Sequence, residues 1–203
     1  MIQAEIKGIS LEFDTNQDVF SPTGVDRGTK AMLSQVEFLP EDKVLDLGCG
    51  YGVVGILASK LIGSDRVVMC DVSEAAVKAS KENGKRNQIE NLNIVLSNGL
   101  DSIEEDGFTK ILSNPPYHVD FAVPKNFIEK GYKKLVVGGT MYMVTKRLDW
   151  YKNKLTSVFG GVKVLEIDGY YVFIAQKRPK APKKKEKKPQ FSKKLARKME
   201  RRR

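Results

Sequence analysis

The sequence predicts an α/β protein: a seven-stranded, mostly parallel sheet with helices on both faces and an antiparallel hairpin at its C-terminal end. Three observations predict it. From Lys43 onward, short β-rich runs alternate with stretches whose apolar residues fall at helical spacing, the pattern of strands joined by crossover helices. The early strands end in polar or glycine-rich residues, where such sheets hold their ligands. The last two strand-like runs are joined by one tight turn, too short for a parallel crossover.

The elements follow in order. KVLDLGC (43–49) is a strand that runs into glycines, and VVGILASKLI (53–62) is the helix after it. RVVMCDV (66–72) is the second strand, and Ser73 caps an amphipathic helix over EAAVKASKENGKRN (74–87). LNIVLSN (92–98) and FTKILSN (108–114) are strands three and four. A helix around 121–135, a strand over GTMYMVTK (139–146) and a helix around 149–159 come next, and KVLEID (163–168) pairs with YYVFIAQK (170–177) through Gly169. One domain is expected over 1–176, with 1–40 as an N-terminal segment and helix and 41–176 as the core.

Composition narrows the function classes. No run of about 18 apolar residues is present and no basic start precedes an apolar stretch, so neither a membrane span nor a signal peptide is expected, and a cytoplasmic location is. Two cysteines, each inside a strand-like run, and one histidine cannot furnish a structural zinc site, so reduced, buried thiols and no metal are expected. The net charge of +10 is concentrated at one end: residues 176–203 carry 15 Lys or Arg against two Glu, which leaves residues 1–175 at −3. KRPKAPKKKEKKPQ has too few apolar residues to bury a core, so residues 177–203 are expected to be disordered when free and to contact nucleic acid phosphates. Within that tail Phe191, Leu195 and Met199 stand four apart, an apolar seam on a basic helix should one form there.

GYGVVG (50–55) satisfies G-x-G-x-x-G, and Asp71 lies 16 residues beyond it, so a nicotinamide dinucleotide is one candidate ligand. Asp46, inside the first strand, argues for another. A pyrophosphate at the helix start would be repelled by that carboxylate, whereas a ligand bearing positive charge would be attracted. S-adenosyl-L-methionine, with its ammonium and sulfonium, is such a ligand. Gly48, Gly50 and Gly52, with Cys49 among them, would let the backbone approach its amino-acid part without Cβ clashes. Asp71 would accept the ribose hydroxyls, Val72 would pack on the adenine face, and Asn98 with Gly99 would edge the ring.

The fourth strand ends in SNPPYH (113–118), where two prolines fix the chain direction beside Asn114 and present Tyr117 and the only histidine, His118. The succession D-L-G-C-G-Y-G, an acid ending strand two, and N-P-P-Y ending strand four resembles the class I, Rossmann-like S-adenosylmethionine-dependent methyltransferases, over about residues 19–176. N-P-P-Y is similar to their motif for methylating planar amino groups. FSPTGVDRGTKAML (20–33) resembles the segment ahead of the catalytic domain in the small-domain enzymes that modify guanine in ribosomal RNA, at Phe20, Ser21, Gly24, Asp26, Gly28 and Thr29. Larger members carry a second, inactive domain copy ahead of the catalytic one, where this sequence has about 20 residues.

The resemblance implies transfer of a methyl group to an exocyclic amine of guanine in ribosomal RNA, with the RNA or a ribosomal subunit as partner; a monomer is expected. An adenine amine and a protein glutamine amide share the motif and stay open, as do a nicotinamide enzyme and a non-catalytic RNA-binding module. For the chemistry, the Asn114 side-chain oxygen and the Pro115 carbonyl would accept the two N–H groups of the amine, and Tyr117 would stack on the base. His118 is expected to support the loop.

Overall fold

Nine strands and five α-helices form among the described residues, which are 1–15, 24–116 and 120–179 of this computed structural model. β1 (Ile2–Ile6) and β2 (Ile9–Phe13) make a separate antiparallel hairpin, followed by α1 (Arg27–Ser34). The main sheet is built from β3 (Val44–Leu47), β4 (Val67–Asp71), β5 (Asn93–Leu96), β6 (Phe108–Ser113), β7 (Leu135–Thr145), β8 (Lys163–Ile167) and β9 (Tyr170–Gln176). The helices α2 (Val53–Ile62), α3 (Glu74–Arg86), α4 (Ala122–Lys134) and α5 (Asp149–Phe159) connect them.

The strand order is β5-β4-β3-β6-β7-β9-β8, parallel from β5 to β7, with β9 antiparallel to both its neighbours. The seven-stranded, mostly parallel sheet with its closing hairpin is therefore as the sequence predicts. Side chains alternate between two apolar layers, because successive strand residues point to opposite faces. Val44, Met69, Leu112 and Val144 join one layer with α1, α2 and the β1–β2 hairpin, while Leu45, Cys70, Ile111 and Met143 join the other with α4 and α5. All four β3 residues are buried, as a central strand covered on both faces requires.

Two features depart from the sequence reading. The N-terminal segment is a hairpin, turning at Lys7 and Gly8 with φ of 54° and 74°, the paired positive values that match the twist of its strands. β7 begins at Leu135, ahead of the expected Gly139, because a register irregularity between Phe108 and Lys110 lets its first residues pair before the double glycine.

From β3 the chain winds to β4 and β5 on one side, then returns to β6 on the other. The carboxyl ends of β3 and β6 therefore flank a crevice, the place where such sheets receive ligands.

Candidate active site

The turn after β3 is fixed through its backbone N–H groups. Gly48 N and Cys49 N both donate to the Cys70 carbonyl at 2.9 Å, and Gly50 N donates to Asp71 Oδ2 at 2.9 Å. Gly48 and Gly50 have φ of 80° and 56°, which side chains disfavour, and a Cβ on either would meet open space. Both leave the loop backbone bare toward a cavity of about 300 Å³.

Gly52 does not line that cavity. It precedes α2 with φ of 100°, and a Cβ there would meet Ile56 Cδ1 at 2.9 Å and Ser80 Oγ at 3.1 Å, so its glycine serves packing under the loop. Gly55 acts similarly, since a Cβ would fall 2.5 Å from the Met69 side chain and push α2 off β4.

The other expected cofactor residues do come together on the cavity wall: Asp46, Gly48, Cys49, Gly50, Asp71, Val72, Asn98, Gly99 and Asn114. Asp71, half-buried at the end of β4, accepts Gly50 N through one oxygen and Ser73 N through the other, at 3.0 Å. Each oxygen keeps a second lone pair for a ligand hydroxyl. Asp46 is buried and accepts Gly55 N at 2.8 Å. Burial, reinforced by the charge of Asp71 and opposed by the Gly55 bond, pushes its carboxyl up to about 7. Val72 is 69% exposed, an apolar face left open at the strand end. Gly99, with φ of 59°, lets the chain pass the Phe127 ring, which a Cβ would approach to 2.9 Å.

Three carboxylates, Asp26, Asp46 and Asp71, line the cavity, and among the described residues no Lys or Arg does. That donor set suits a cationic ligand and disfavours a pyrophosphate. Cys49 and Cys70 are free and buried; burial raises both thiols, Cys70 to about 12, so neither is a thiolate nucleophile at neutral pH.

Asn114, Pro115 and Pro116, after β6, line the same cavity. The Asn114 Nδ2 donates to Asp26 Oδ2 at 2.8 Å and to Thr29 Oγ1 at 3.0 Å. A carboxylate only accepts, so this pairing fixes which end of the amide is which. The Asn114 Oδ1 is buried and finds no partner among the described residues. An orphaned acceptor costs about 1–3 kcal/mol, so it calls for a functional reason. Asp26 also caps α1, its carboxylate accepting Thr29 N at 2.8 Å, and Gly28 lies against Tyr170, where a Cβ would fall 2.8 Å from the ring. The segment 20–33 thus reaches the site through Asp26 and Thr29, a role the sequence reading left unassigned. Tyr117, His118, Phe20 and Ser21 lie outside the described residues.

Two residues of α3 that carried no signal beyond helical spacing support the loop. Ser80 Oγ donates to the Gly50 carbonyl at 2.8 Å, and Asn83 Nδ2 to the Tyr51 carbonyl at 3.0 Å. Among the described residues no group of three or more His, Cys, Asp or Glu is placed to hold a metal, and no helix is long and apolar enough to cross a membrane.

The methyltransferase small domain family matches residues 10–175. The chain is 31% identical over 178 residues to a ribosomal RNA large subunit methyltransferase G of Klebsiella pneumoniae, covering 84% of this chain and 47% of that protein. It is 32% identical over 176 residues to a ribosomal RNA small subunit methyltransferase C of Pseudomonas putida, covering 84% and 53%. A solved structure of the T. thermophilus 16S rRNA N2 G1207 methyltransferase, in complex with AdoMet and guanosine, superposes with a TM-score of 0.74 at 28% identity, covering 87% of this chain and 50% of that one. The chain therefore spans about half the length of the curated relatives it matches. With the sheet order, the glycine loop and the N-P-P wall in agreement with it, this match places the chain in the methyltransferase small domain family.

Proposed function

We propose that this chain methylates the exocyclic amine of a guanine in ribosomal RNA, using S-adenosyl-L-methionine. The observation that carries the reading is the buried Oδ1 of Asn114, without a partner among the described residues and its amide fixed by Asp26 and Thr29, in a cavity shared with an acidic glycine loop. The matches to ribosomal RNA methyltransferases of both subunits support the substrate class, and the guanosine in one related structure supports the base.

Bound S-adenosyl-L-methionine supplies a methyl group on a positively charged sulfur. Asp71 would hold the ribose hydroxyls and the bare backbone of Gly48 and Gly50 the amino-acid part, with Asp46 contributing negative charge beneath. Val72, Asn98 and Gly99 would frame the adenine. The carboxylate-lined wall fits that group better than a nicotinamide dinucleotide.

A purine amine is a poor nucleophile because its lone pair is delocalised into the ring. Asn114 Oδ1 and the Pro115 carbonyl would accept its two N–H groups, draw the nitrogen toward tetrahedral geometry and localise the lone pair. These acceptors strengthen as positive charge grows on nitrogen, so they favour the transition state over the bound base. The methylated nitrogen then sheds a proton. A base inside a helix cannot enter such a crevice, so the target is unstacked or single-stranded.

The test is to incubate full-length protein with ribosomal RNA and methyl-labelled S-adenosyl-L-methionine, digest to nucleosides and identify the product by mass spectrometry. N2-methylguanosine is expected. N6-methyladenosine would move the target to adenine, and label on protein alone would move it to a glutamine amide.

A further inference from the structure

Beside the cavity stands an aromatic and cationic cluster that the chemistry above does not use. Phe121, at the start of α4, stacks on Trp150, at the start of α5, with ring centroids 4.5 Å apart and planes 22° from parallel. The guanidinium of Arg147, in the loop after β7, lies 4.9 Å from the Phe121 ring centroid. Arg147 and Phe121 are exposed and Trp150 is half-buried. All three follow β6 or β7 and so sit at the carboxyl edge of the sheet, the same edge as the cavity; Val123 and Phe127, farther along α4, line it.

The cluster is held in place from below. Tyr151, buried, packs edge-on to Trp150 at 5.1 Å, and the Arg147 backbone N–H donates to the buried Thr145 hydroxyl at 3.2 Å. Asp120 and Asp149 are near in sequence, yet among the described residues Arg147 enters no ion pair. An exposed guanidinium, pre-oriented on a ring and left unneutralised, is suited to a phosphate or to the face of a base.

We propose that Phe121, Trp150 and Arg147 form a platform for a nucleotide flanking the target base in single-stranded RNA. A strand whose target base is extruded into the cavity leaves its neighbour unstacked, and an aromatic-cation surface at the rim replaces the missing stacking. This rests on the nucleic acid substrate proposed above and adds where the strand runs: past the α4 and α5 N-termini.

Trp150 is the only tryptophan in the chain, so its emission reports on this place alone. Full-length protein would be titrated with a short, end-labelled single-stranded oligoribonucleotide, following tryptophan emission and label anisotropy together. Saturable quenching at the same midpoint as the anisotropy rise is expected. Arg147→Ala is expected to weaken binding by roughly fivefold to a hundredfold, the range typical of removing one base-stacking partner, with S-adenosyl-L-methionine affinity unchanged. Binding by anisotropy with silent Trp150 and unaltered affinity in Arg147→Ala overturns the platform. If ribosomal RNA is still methylated, the platform alone falls; if the protein neither binds the oligonucleotide nor methylates RNA, the substrate reading falls with it.

Discussion

Asp26 does two jobs with one carboxylate: it accepts Thr29 N at the start of α1 and Asn114 Nδ2 at the end of β6. Removing it should loosen a helix cap, about 1 kcal/mol, and also free the Asn114 amide to rotate. Asn114→Ala is expected to cut turnover on the order of a hundredfold or more with cofactor affinity nearly intact, since its acceptor acts chiefly in the transition state. Asp26→Ala should lower turnover in the same direction by up to about a hundredfold, with the acceptor present but misplaced. Single-turnover kinetics beside calorimetric cofactor titration separates these effects; a loss confined to cofactor binding in either variant would reassign the residue. Asp46 gives a second test. Its carboxyl is raised to about 7, so the folded apo protein holds a proton there more tightly than the unfolded chain does. The stability that proton contributes is full below the ordinary carboxylate range and is lost as pH rises through about 7. A cationic ligand favours the ionised form, so its binding near neutral pH should release a proton, visible as a buffer-dependent binding enthalpy. Asp46→Asn should abolish that release and weaken affinity.

At the scale of elements, α3 ties the N-terminal hairpin to the glycine loop. Asn83 Oδ1 accepts Asp14 N at 2.7 Å while its Nδ2 donates to the Asp14 carbonyl and to the Tyr51 carbonyl, each at 3.0 Å. One turn later Asn87 treats Glu12 in the same way, accepting its N–H at 3.1 Å and donating to its carbonyl at 2.7 Å. Two amides spaced as helical neighbours thus satisfy the free edge of β2 as another strand would. Asn83→Ala should cost about 1–3 kcal/mol in denaturant unfolding, because the buried Tyr51 carbonyl and the partly buried Asp14 backbone groups lose their partner. The β3–β9 core was legible in the sequence because alternating β-rich runs and 3.6-residue periodicity survive in a sheet covered on both faces. The hairpin was not. Ile2–Ile6 and Ile9–Phe13 are short, half-exposed strands, held by Ile6, Leu11 and Phe13 in the core and by a pair of asparagines some 70 residues away in sequence. The cavity residues were legible for the same reason as the core, since strand ends mark the ligand edge. The tie from Asp26 and Thr29 to Asn114 was not, as it joins α1 to β6 across 85 residues or more with no local pattern to announce it.

At the scale of the whole molecule, the exit of the chain from β9 and the cavity lie at opposite edges of the sheet. β9 runs antiparallel to β7 and ends at Gln176, opposite Thr140, so the chain leaves the sheet at the amino edge of the parallel strands. Lys177 still belongs to the fold: its N–H donates to the Gly139 carbonyl at 2.8 Å and its carbonyl accepts Gly138 N at 2.7 Å. Lys177, the first residue of the expected tail, is thus held against the start of β7 by two backbone bonds. Residues 180–203 hold 13 Lys or Arg and two Glu, which leaves 1–179 at a formal charge of −1. A nearly neutral domain with an acidic cavity has little long-range attraction for a polyanion, so RNA affinity should depend on the appendage. Extended, 24 residues reach at most roughly 80 Å, enough to touch RNA well away from the base in the cavity. A chain acting at that distance contributes to binding and not to the methyl transfer step. Truncation after Pro179 should therefore leave the fold, cofactor affinity and turnover at saturating RNA unchanged and raise KM for RNA. It should also flatten the salt dependence, by roughly 0.7–0.9 in log–log slope for each phosphate that the tail neutralises in the full-length protein. RNA binding measured across a salt series for the full-length and truncated proteins decides it: equal affinities and equal slopes would leave the tail with no part in substrate capture, and a fall in turnover at saturation would bring it to the cavity instead.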